Sequence, residues 1–351
     1  MNKREFVCNK CGKRVPDDTM LPWCECGGLW DLAAENNGDG FPGEGMRLSS
    51  ISLGETQTPV VEIKDGLFLK MDYYMPTLSF KDRGAASLIS HCKDIGVKRV
   101  IEDSSGNAGN SIAAYCARAG IDCEIYVPEG TSAGKVKLIS AYGAKVTVTP
   151  GSRDECARLC REKVEKEKIY YASHVCNPYF IEGVKSYIYE AVKQLKKLPD
   201  AVFSPVGNGT LLLGIIKGLE EMMESGTVTR MPKIVAVQSM NCAPIYKAYI
   251  EGKDEPVKID PRPTLAEGIA IGEPRRGRQI IEKIKMHDID VIAVTEDEIE
   301  RAMKELLCEG IFCEETSAAT YAAYVKYNNE HLECGDSLIP MCGSGMKTMQ
   351  V

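Results

Sequence analysis

The sequence predicts an α/β protein with two doubly wound parallel-sheet domains behind a short N-terminal zinc-ribbon-like segment. Three observations predict this fold class. Apolar β-branched runs alternate with helical patterns past about residue 85, which is the signal of βαβ units. The chain has 351 residues, which is too long for most single cores. Four of its 15 cysteines stand in two close pairs near the N-terminus.

The alternating elements form two series along the chain. The first has predicted strands VKRVIED, CEIYVP and KVTVTP and predicted helices AGNSIAAYCARAG, SAGKVKLISAYGA and SRDECARLCREKVEKEK. The second has strands AVFSPV, KIVAVQS and DVIAVT and helices LLLGIIKGLEEMME and EDEIERAMKELLCEG. We therefore expect an N-terminal segment over 1–45, a smaller domain over 85–179, and a larger domain that combines 46–84 with 180–351.

The N-terminal cysteines are spaced for metal binding. Cys8 and Cys11 form a C-x2-C pair, and Cys24 and Cys26 form a tighter C-x-C pair. Four thiolates in two knuckles resemble a zinc ribbon, because tetrahedral zinc takes four sulfur ligands. We expect structural zinc; an unmetallated vestigial ribbon and redox chemistry are the alternatives. The other cysteines, such as Cys116, are interpreted as small buried hydrophobes.

Composition and charge exclude several classes of protein. Hydrophobic residues make up 44% and charged residues 26%, as in a soluble globular protein. The net charge is −7 and the basic residues are spread along the chain, which argues against nucleic acid as a partner. The N-terminus lacks the apolar run of a signal peptide, and no stretch approaches a membrane span. We expect a cytoplasmic protein with reduced thiols and no membrane partner.

Two glycine-rich turns stand where predicted strands lead into predicted helices. They are SSGNAGNS, residues 104–111, and PVGNGTLLLG, residues 205–214. Backbone N–H groups at a helix start form an anion site, so each turn could hold a phosphate or a carboxylate. Alternatively, the glycines only tighten the turn. Neither turn matches the dinucleotide or P-loop pattern, which makes NAD and ATP weak candidates.

Four short motifs occur together in one order: SFKDRG, SSGNAGN, GNGT and CGSGMK. In this order the chain resembles the fold-type II enzymes that use pyridoxal 5′-phosphate (PLP), over roughly residues 50–351. The ribbon-like start also resembles that of many threonine synthases. The resemblance implies PLP as cofactor, a small amino acid as substrate, and a homodimer.

The resemblance also implies roles for individual residues. Lys81 forms the Schiff base with PLP and removes the substrate α-proton, while Asn107 hydrogen-bonds the ring oxygen. Asp82 and Arg83 are interpreted as structural. The expected ligands of the cofactor phosphate are Gly207, Asn208, Gly209 and Thr210, and those of the substrate carboxylate are Ser104, Ser105 and Gly106.

Cys342 falls at the position whose hydroxyl meets the pyridine nitrogen in threonine synthases, and Ser344 replaces it if the alignment shifts by two residues. Some serine/threonine dehydratases also carry cysteine there. A neutral partner leaves the ring nitrogen largely unprotonated, which favours β-elimination over transamination. The segment TLAEGIAIGEP, residues 264–274, also resembles the dehydratases, and Glu267 lies either near the cofactor or in solvent.

The substrate side departs from threonine synthases. Their pattern is approximately N-S-V-N-P-x-R-x-E-G, and here HVCNPYFIEG puts His174, Val175 and Phe180 at the asparagine, serine and arginine positions. Ala108 replaces the threonine that follows the family's asparagine. Phenylalanine cannot bind a phosphate bidentately as arginine does. His174 is either an acid–base group or a packed polar side chain, and the second interpretation is preferred.

These patterns favour a threonine synthase-like PLP-dependent lyase that eliminates or replaces the β- or γ-substituent of a small amino acid. Serine/threonine ammonia-lyase or β-replacement chemistry is the favoured form. The alternative is an authentic threonine synthase acting on O-phosphohomoserine. A non-catalytic PLP-binding protein or a zinc-ribbon interaction protein is the alternative of another class, and the presence of both Lys81 and Asn107 argues against it.

Overall fold

The computed structural model describes residues 4–33, 49–55, 57–330 and 334–347, so that residues 1–3 and 34–45 of the predicted N-terminal segment lie outside the described part. In chain order the strands are β1 (Glu5–Cys8), β2 (Arg14–Pro16), β3 (Trp30–Leu32), β4 (Val60–Lys64), β5 (Leu67–Lys70), β6 (Arg99–Glu102), β7 (Asp122–Pro128), β8 (Lys145–Thr149), β9 (Tyr170–Tyr171), β10 (Ala201–Pro205), β11 (Lys233–Ser239), β12 (Asp290–Val294) and β13 (Ser337–Pro340). The helices are α1 (Lys81–Asp94), α2 (Asn107–Ala119), α3 (Ala133–Ala141), α4 (Arg153–Glu167), α5 (Pro178–Val184), α6 (Ser186–Leu195), α7 (Thr210–Glu224), α8 (Pro244–Ile250), α9 (Gly277–Met286), α10 (Glu296–Cys308) and α11 (Glu315–Glu330).

The described residues divide into two compact units. The smaller unit comprises 4–33, 49–55 and 81–184, and the larger unit comprises 57–80, 185–330 and 334–347. The described chain therefore changes unit between residues 55 and 57 and after residues 80 and 184, whereas the sequence predicts boundaries after 45, 84 and 179. The predicted division into three domains stays a prediction.

The N-terminal ribbon is part of the smaller unit. Its three strands form an antiparallel sheet in the order β2-β1-β3. The Tyr179 hydroxyl of α5 donates a 2.5 Å hydrogen bond to Asp17, and the Phe6 ring lies 6.0 Å from the Tyr179 ring. These contacts attach the ribbon to α5.

The smaller unit is built on a four-stranded parallel sheet in the order β8-β7-β6-β9. Its central strands are buried on both faces, as Ile101, Ile125 and Val127 show with no exposed surface. Parallel strands end at the same sheet edge, so the chain after β6 and the chain after β9 lie side by side. This edge carries most of the predicted substrate residues.

Helices α1 and α5 pack closely because glycine stands at their contact. A Cβ added at Gly84 would lie 2.3 Å from Cδ1 of Phe180. Phe180 itself has no exposed surface. Any side chain larger than hydrogen at position 84 would push the two helices apart.

The larger unit has a six-stranded sheet in the order β12-β11-β10-β13-β5-β4. All pairings are parallel except that of β4 with β5 at the edge. Helix α10 begins at a capping box formed by Thr295 and Glu298. Two parallel sheets with their helices confirm the predicted α/β fold class.

Among the residues that the structure describes, no helix combines the length and the apolar character needed to cross a membrane. The cytoplasmic location and the homodimer stay predictions.

Candidate active site

Lys81 is the first residue of α1 in the smaller unit and is partly buried. The next residue, Asp82, is completely buried and accepts a 2.5 Å hydrogen bond from the Ser111 hydroxyl of α2. Arg83 is 5% exposed. The acid–arginine pair therefore fixes the start of α1, and the lysine precedes this fixed point.

The loop Ser104–Gly106 connects β6 to α2. Gly106 is the N-cap residue of α2, and no side chain caps the helix there. The first turn of α2 contains no acidic residue, and Asn107 is partly exposed. Uncapped N–H groups at the start of a 13-residue helix suit a carboxylate ligand. Ala108 is only 2% exposed and has no side-chain donor.

The segment after β9 places His174 beside Glu102, the last residue of β6. His174 Nδ1 lies 2.6 Å from Glu102 Oε1. The His174 ring also meets the Phe180 ring edge-on, with centroids 5.9 Å apart. Val175 is 6% exposed and belongs to a hydrophobic cluster of the smaller unit. The polar positions of the threonine synthase pattern are thus occupied by a histidine–glutamate pair and apolar packing.

Glu102 is a site residue that the sequence interpretation missed. It ends a buried strand next to a glycine-rich loop, and this position is the only signal that could have found it. Burial raises the pKa of Glu102 to about 7, against the opposing effect of the backbone N–H groups of His174 and Ser104.

In the larger unit, Gly207–Gly209 precedes the 15-residue helix α7, which begins at Thr210. Gly209 has φ = 81°, no side chain caps the helix at this residue, and the first turn contains no acidic residue. A Cβ added at Gly207 would lie 3.1 Å from the Cα of Ile269. Asn208 is partly exposed. Backbone donors without a competing cap or acid fit a phosphate group.

Cys342 and Ser344 follow β13 in the larger unit and are buried. The Cys342 N–H donates to the Ser317 hydroxyl at 2.8 Å, and its carbonyl accepts from the Phe80 N–H at 2.9 Å. The Ser344 N–H donates to the carbonyl of Leu78, a non-glycine residue with φ = 62°. A left-handed leucine is strained, and such strain is frequent near functional sites. Glu267 is exposed.

The sulfur atoms of Cys8, Cys11, Cys24 and Cys26 lie within 4.8 Å of one another. The Cys8 and Cys26 sulfurs are 3.5 Å apart, and those of Cys11 and Cys24 are 3.6 Å apart. Zinc–sulfur bonds of about 2.3 Å in a tetrahedron separate sulfurs by about 3.8 Å. The four thiols thus have the arrangement that a tetrahedral metal requires.

The chain matches the family model described as "Pyridoxal-phosphate dependent enzyme" over residues 51–343. The chain therefore belongs to the pyridoxal-phosphate-dependent enzymes. Threonine synthase of Methanocaldococcus jannaschii is 32% identical, with 97% of this chain and 92% of that protein covered. Threonine synthase of Methanosarcina acetivorans is 30% identical, with 91% and 85% covered. The chain is a threonine synthase-like PLP-dependent lyase.

Solved structures show the same fold. Threonine deaminase isoform 2 of Solanum lycopersicum superimposes with a TM-score of 0.74 at 24% identity, covering 91% of this chain and 93% of that chain. Serine racemase of Dictyostelium discoideum gives a TM-score of 0.69 at 25% identity, covering 84% and 94%. The predicted resemblance to fold-type II PLP enzymes is confirmed.

Proposed function

We propose that the enzyme removes the β-substituent of a small uncharged amino acid, as a serine/threonine ammonia-lyase or a β-replacement enzyme. The observation that carries this proposal is the environment of Phe180. This side chain stands where threonine synthases have arginine, is fully buried, and packs against Gly84 and His174. It offers no hydrogen-bond donor to a phosphorylated substrate.

The side chains and backbone of this chain would act as follows. PLP, when bound, supplies an electron-withdrawing ring conjugated to the substrate α-carbon. Lys81 would hold the cofactor and, once the substrate amine displaces it, take the α-proton at Nζ. The N–H groups of Ser104–Gly106 would orient the α-carboxylate. Asn107 would donate to the ring oxygen, and the backbone of Gly207–Thr210 would bind the phosphate.

Cys342 supports elimination over transamination. By the family resemblance Cys342 would hold the pyridine nitrogen of PLP, and its thiol would not transfer a full proton there, so the cofactor would withdraw electrons less strongly from the substrate. The negative charge on the α-carbon is then relieved by loss of the β-substituent.

A substrate panel tests the proposal. Serine, threonine, O-acetylserine, phosphoserine and O-phosphohomoserine are compared by formation of ammonia, keto acid or threonine. Loss of one charge-assisted contact weakens the binding of a phosphorylated substrate by about 1.5–3 kcal/mol, or about 10- to 150-fold. Unphosphorylated compounds should therefore be preferred. Efficient threonine formation from O-phosphohomoserine would overturn the proposal.

One observation supports the alternative of an authentic threonine synthase. Arg153, at the start of α4, is exposed, and its charge lowers the pKa of both Glu102 and Asp103. A guanidinium near this sheet edge could bind a substrate phosphate in place of the missing arginine. If the panel favours O-phosphohomoserine, Arg153→Met should reduce that activity more than the activity on serine.

We also propose that Cys8, Cys11, Cys24 and Cys26 hold one structural zinc ion. The sulfur distances given above support tetrahedral coordination, and all four ligands are thiols, as in closed structural sites. Elemental analysis should find about one zinc per chain, which Cys8→Ser removes and Cys308→Ser, at an exposed cysteine outside the ribbon, does not. Freshly purified protein without metal would leave the vestigial ribbon as the explanation.

A further inference from the structure

A buried histidine–glutamate pair lies at the carboxyl edge of the parallel sheet in the smaller unit. His174 Nδ1 and Glu102 Oε1 are 2.6 Å apart, and the His174 backbone N–H also donates to Oε1 at 3.4 Å. Glu102 has no exposed surface, and the His174 side chain is 10% exposed. Strands β6 and β9 are paired next to these residues, Ile101 opposite Tyr171, so the sheet register fixes the pair.

The pair is incompletely satisfied. The second carboxylate oxygen, Glu102 Oε2, is buried and accepts no hydrogen bond from any residue that the structure describes. An ionised carboxylate in that environment is costly, so the pair retains a proton. Burial raises the pKa of Glu102 to about 7. Burial, with the charge of Lys81, lowers the pKa of His174 to about 3.

Below about pH 7 the pair is therefore neutral, with the shared proton on Glu102. The Glu102 hydroxyl then donates to Nδ1, and the imidazole hydrogen stands on Nε2. Within the described part of the chain, Nε2 makes no hydrogen bond, and it is not sealed from solvent. The Nε2 hydrogen is thus available to a group from outside the described residues.

The surroundings connect the pair to the reacting groups. The charge of Lys81 acts on both Glu102 and His174. Glu102 also stands two residues before the loop Ser104–Gly106. The pair therefore lies within electrostatic range of the proposed α-proton base, and Glu102 lies two residues before the proposed carboxylate loop. The charged and titratable groups that face the pair are Lys81, Asp103, Arg153, Cys156 and Cys160.

We propose that His174, positioned by Glu102, donates the proton to the group that leaves the substrate β-carbon. This inference rests on the proposed elimination function and names the residue that makes a poor leaving group, such as hydroxyl, able to depart. Glu102 is a positioning residue that supplies the proton to the ring.

The proton and electron balance closes within the site. Lys81 Nζ takes the α-proton and becomes an ammonium. The electron pair of the Cα–H bond forms the Cα=Cβ double bond as the Cβ–O bond breaks. The electron pair of the Cβ–O bond stays on oxygen, which takes the Nε2 proton and leaves as water. The Glu102 proton passes to Nδ1, so the pair becomes anionic while Lys81 is cationic. Return of the proton from Lys81 to the pair restores both groups, and no oxidant or second reactant is needed.

The decisive experiment compares two substrates that differ only in the leaving group. Serine loses hydroxide unless an acid protonates it, whereas β-chloroalanine loses chloride, which needs no proton. In the full-length holoenzyme, His174→Gln and Glu102→Gln should each lower kcat for serine by about 10²-fold or more. The same variants should keep β-chloroalanine turnover within about threefold of the unmodified enzyme, and Glu102→Asp should recover part of the serine activity.

A matched control comes from the larger unit. His287 Nε2 lies 2.7 Å from Glu220, a histidine–carboxylate pair with side chains 16% and 28% exposed. His287→Gln should leave the turnover of serine and of β-chloroalanine unchanged. Equal losses on serine and β-chloroalanine in the His174 and Glu102 variants would show a structural role and overturn the inference. Failure of the unmodified holoenzyme to consume β-chloroalanine would instead overturn the proposed elimination function.

Two further readouts separate a proton donor from a packing residue. Serine turnover should fall above about pH 7 as Glu102 loses its proton, and β-chloroalanine turnover should not show this fall. Infrared difference spectra of the holoenzyme should contain a protonated carboxyl band that titrates near pH 7 and is missing in Glu102→Gln. The inference is overturned if the band is missing from the unmodified enzyme or if both substrates share one pH profile.

Discussion

Two carboxylates with little exposed surface, the fully buried Glu102 in the smaller unit and the partly buried Glu221 in the larger unit, have opposite ionisation behaviour although both lie beside basic side chains. Lys185 Nζ lies 2.9 and 3.0 Å from the two Glu221 oxygens, and Lys217 adds a third contact at 3.1 Å. Burial raises the pKa of Glu221, but the two lysine charges outweigh it and lower the pKa overall. Among the described residues, the close side-chain partner of Glu102 is the neutral His174 ring. Burial raises the pKa of Glu102 to about 7.

The comparison shows that close cationic donors can outweigh the effect of burial and keep a carboxylate ionised. Glu221 has both oxygens satisfied and stays ionised, which makes it a structural link between α6 and α7. Glu102 has one oxygen without a partner among the described residues and can exchange a proton near neutral pH. The same residue type therefore forms ion pairs in the larger unit and, by the inference above, takes part in proton transfer in the smaller unit.

The largest expected effect comes from Lys81→Ala. Turnover should fall by at least about 10³-fold, because under the proposed function the variant loses both the covalent attachment point and the α-proton base. Borohydride reduction followed by peptide mass spectrometry should find PLP on the Lys81 peptide of the unmodified protein and not in the variant. Lys93→Ala, near the end of the same helix, is the control.

The Lys81→Ala variant also tests what controls the pKa of Glu102. The charge of Lys81 lowers the pKa of Glu102 and of His174, so removing it should raise both values. Infrared titration should then place the Glu102 midpoint above about pH 7. An unchanged midpoint would show that the lysine charge does not reach the pair.

Lys185→Met tests the structural carboxylate. The Lys185 side chain is 2% exposed, and its loss leaves Glu221 with fewer donors in a buried position. We expect the free energy of unfolding to fall by about 3–5 kcal/mol in urea titrations. The double variant Lys185→Met/Glu221→Leu should recover much of this loss, and a double variant as unstable as the single one would contradict the explanation.

Glu102→Gln should change how stability depends on pH. The folded pKa of about 7 lies above the ordinary value of 4.5, so the stabilising contribution is complete below pH 4.5 and is lost as the pH rises through 7. The unmodified protein should therefore lose up to about 3 kcal/mol relative to the variant across this range.

Glu221→Gln should change the pH dependence of the free energy of unfolding in the opposite direction. Because the folded pKa of Glu221 is lowered, its contribution is present above its ordinary pKa and is lost as the pH falls. Unfolding free energies measured at several pH values should thus diverge in opposite directions for the two variants. Parallel pH profiles of the two variants would show that Glu102 and Glu221 do not differ in ionisation as described.

The smallest expected effect is that of Lys217→Met. This lysine bonds the same carboxylate as Lys185, but its side chain is 27% exposed, one turn before Glu221 on α7. Solvent screens such i,i+4 pairs, so the loss should be about 0.3–0.5 kcal/mol by urea unfolding. A loss as large as that of Lys185→Met would show that exposure does not separate the two lysines.

Local patterns in the sequence determined the fold class and the strands and helices that alternate visibly. Strands β6, β8, β10, β11 and β12 each lie within a predicted strand segment, and β7 begins one residue before its predicted segment. Helices α1 and α11 were not predicted, because small and polar residues buried all round a helix leave no apolar stripe to recognise. Their helical state depends on the packing that surrounds them.

The family could also be identified from the sequence alone, because four short motifs in one order indicate PLP as cofactor and Lys81 as its attachment point. The four N-terminal cysteines were likewise paired by spacing alone. These features are local, and a glycine turn or a cysteine knuckle shows its chemistry within a few residues.

The surroundings of His174 and Phe180 result from tertiary contacts that no local sequence pattern shows. Glu102 and His174 are 72 residues apart in the chain, and the pairing of β6 with β9 brings them to 2.6 Å. Phe180 is buried because Gly84 on another helix leaves space for its ring. Solvation and hydrogen-bond partners depend on such distant neighbours, so local sequence patterns could not show that His174 lies beside Glu102.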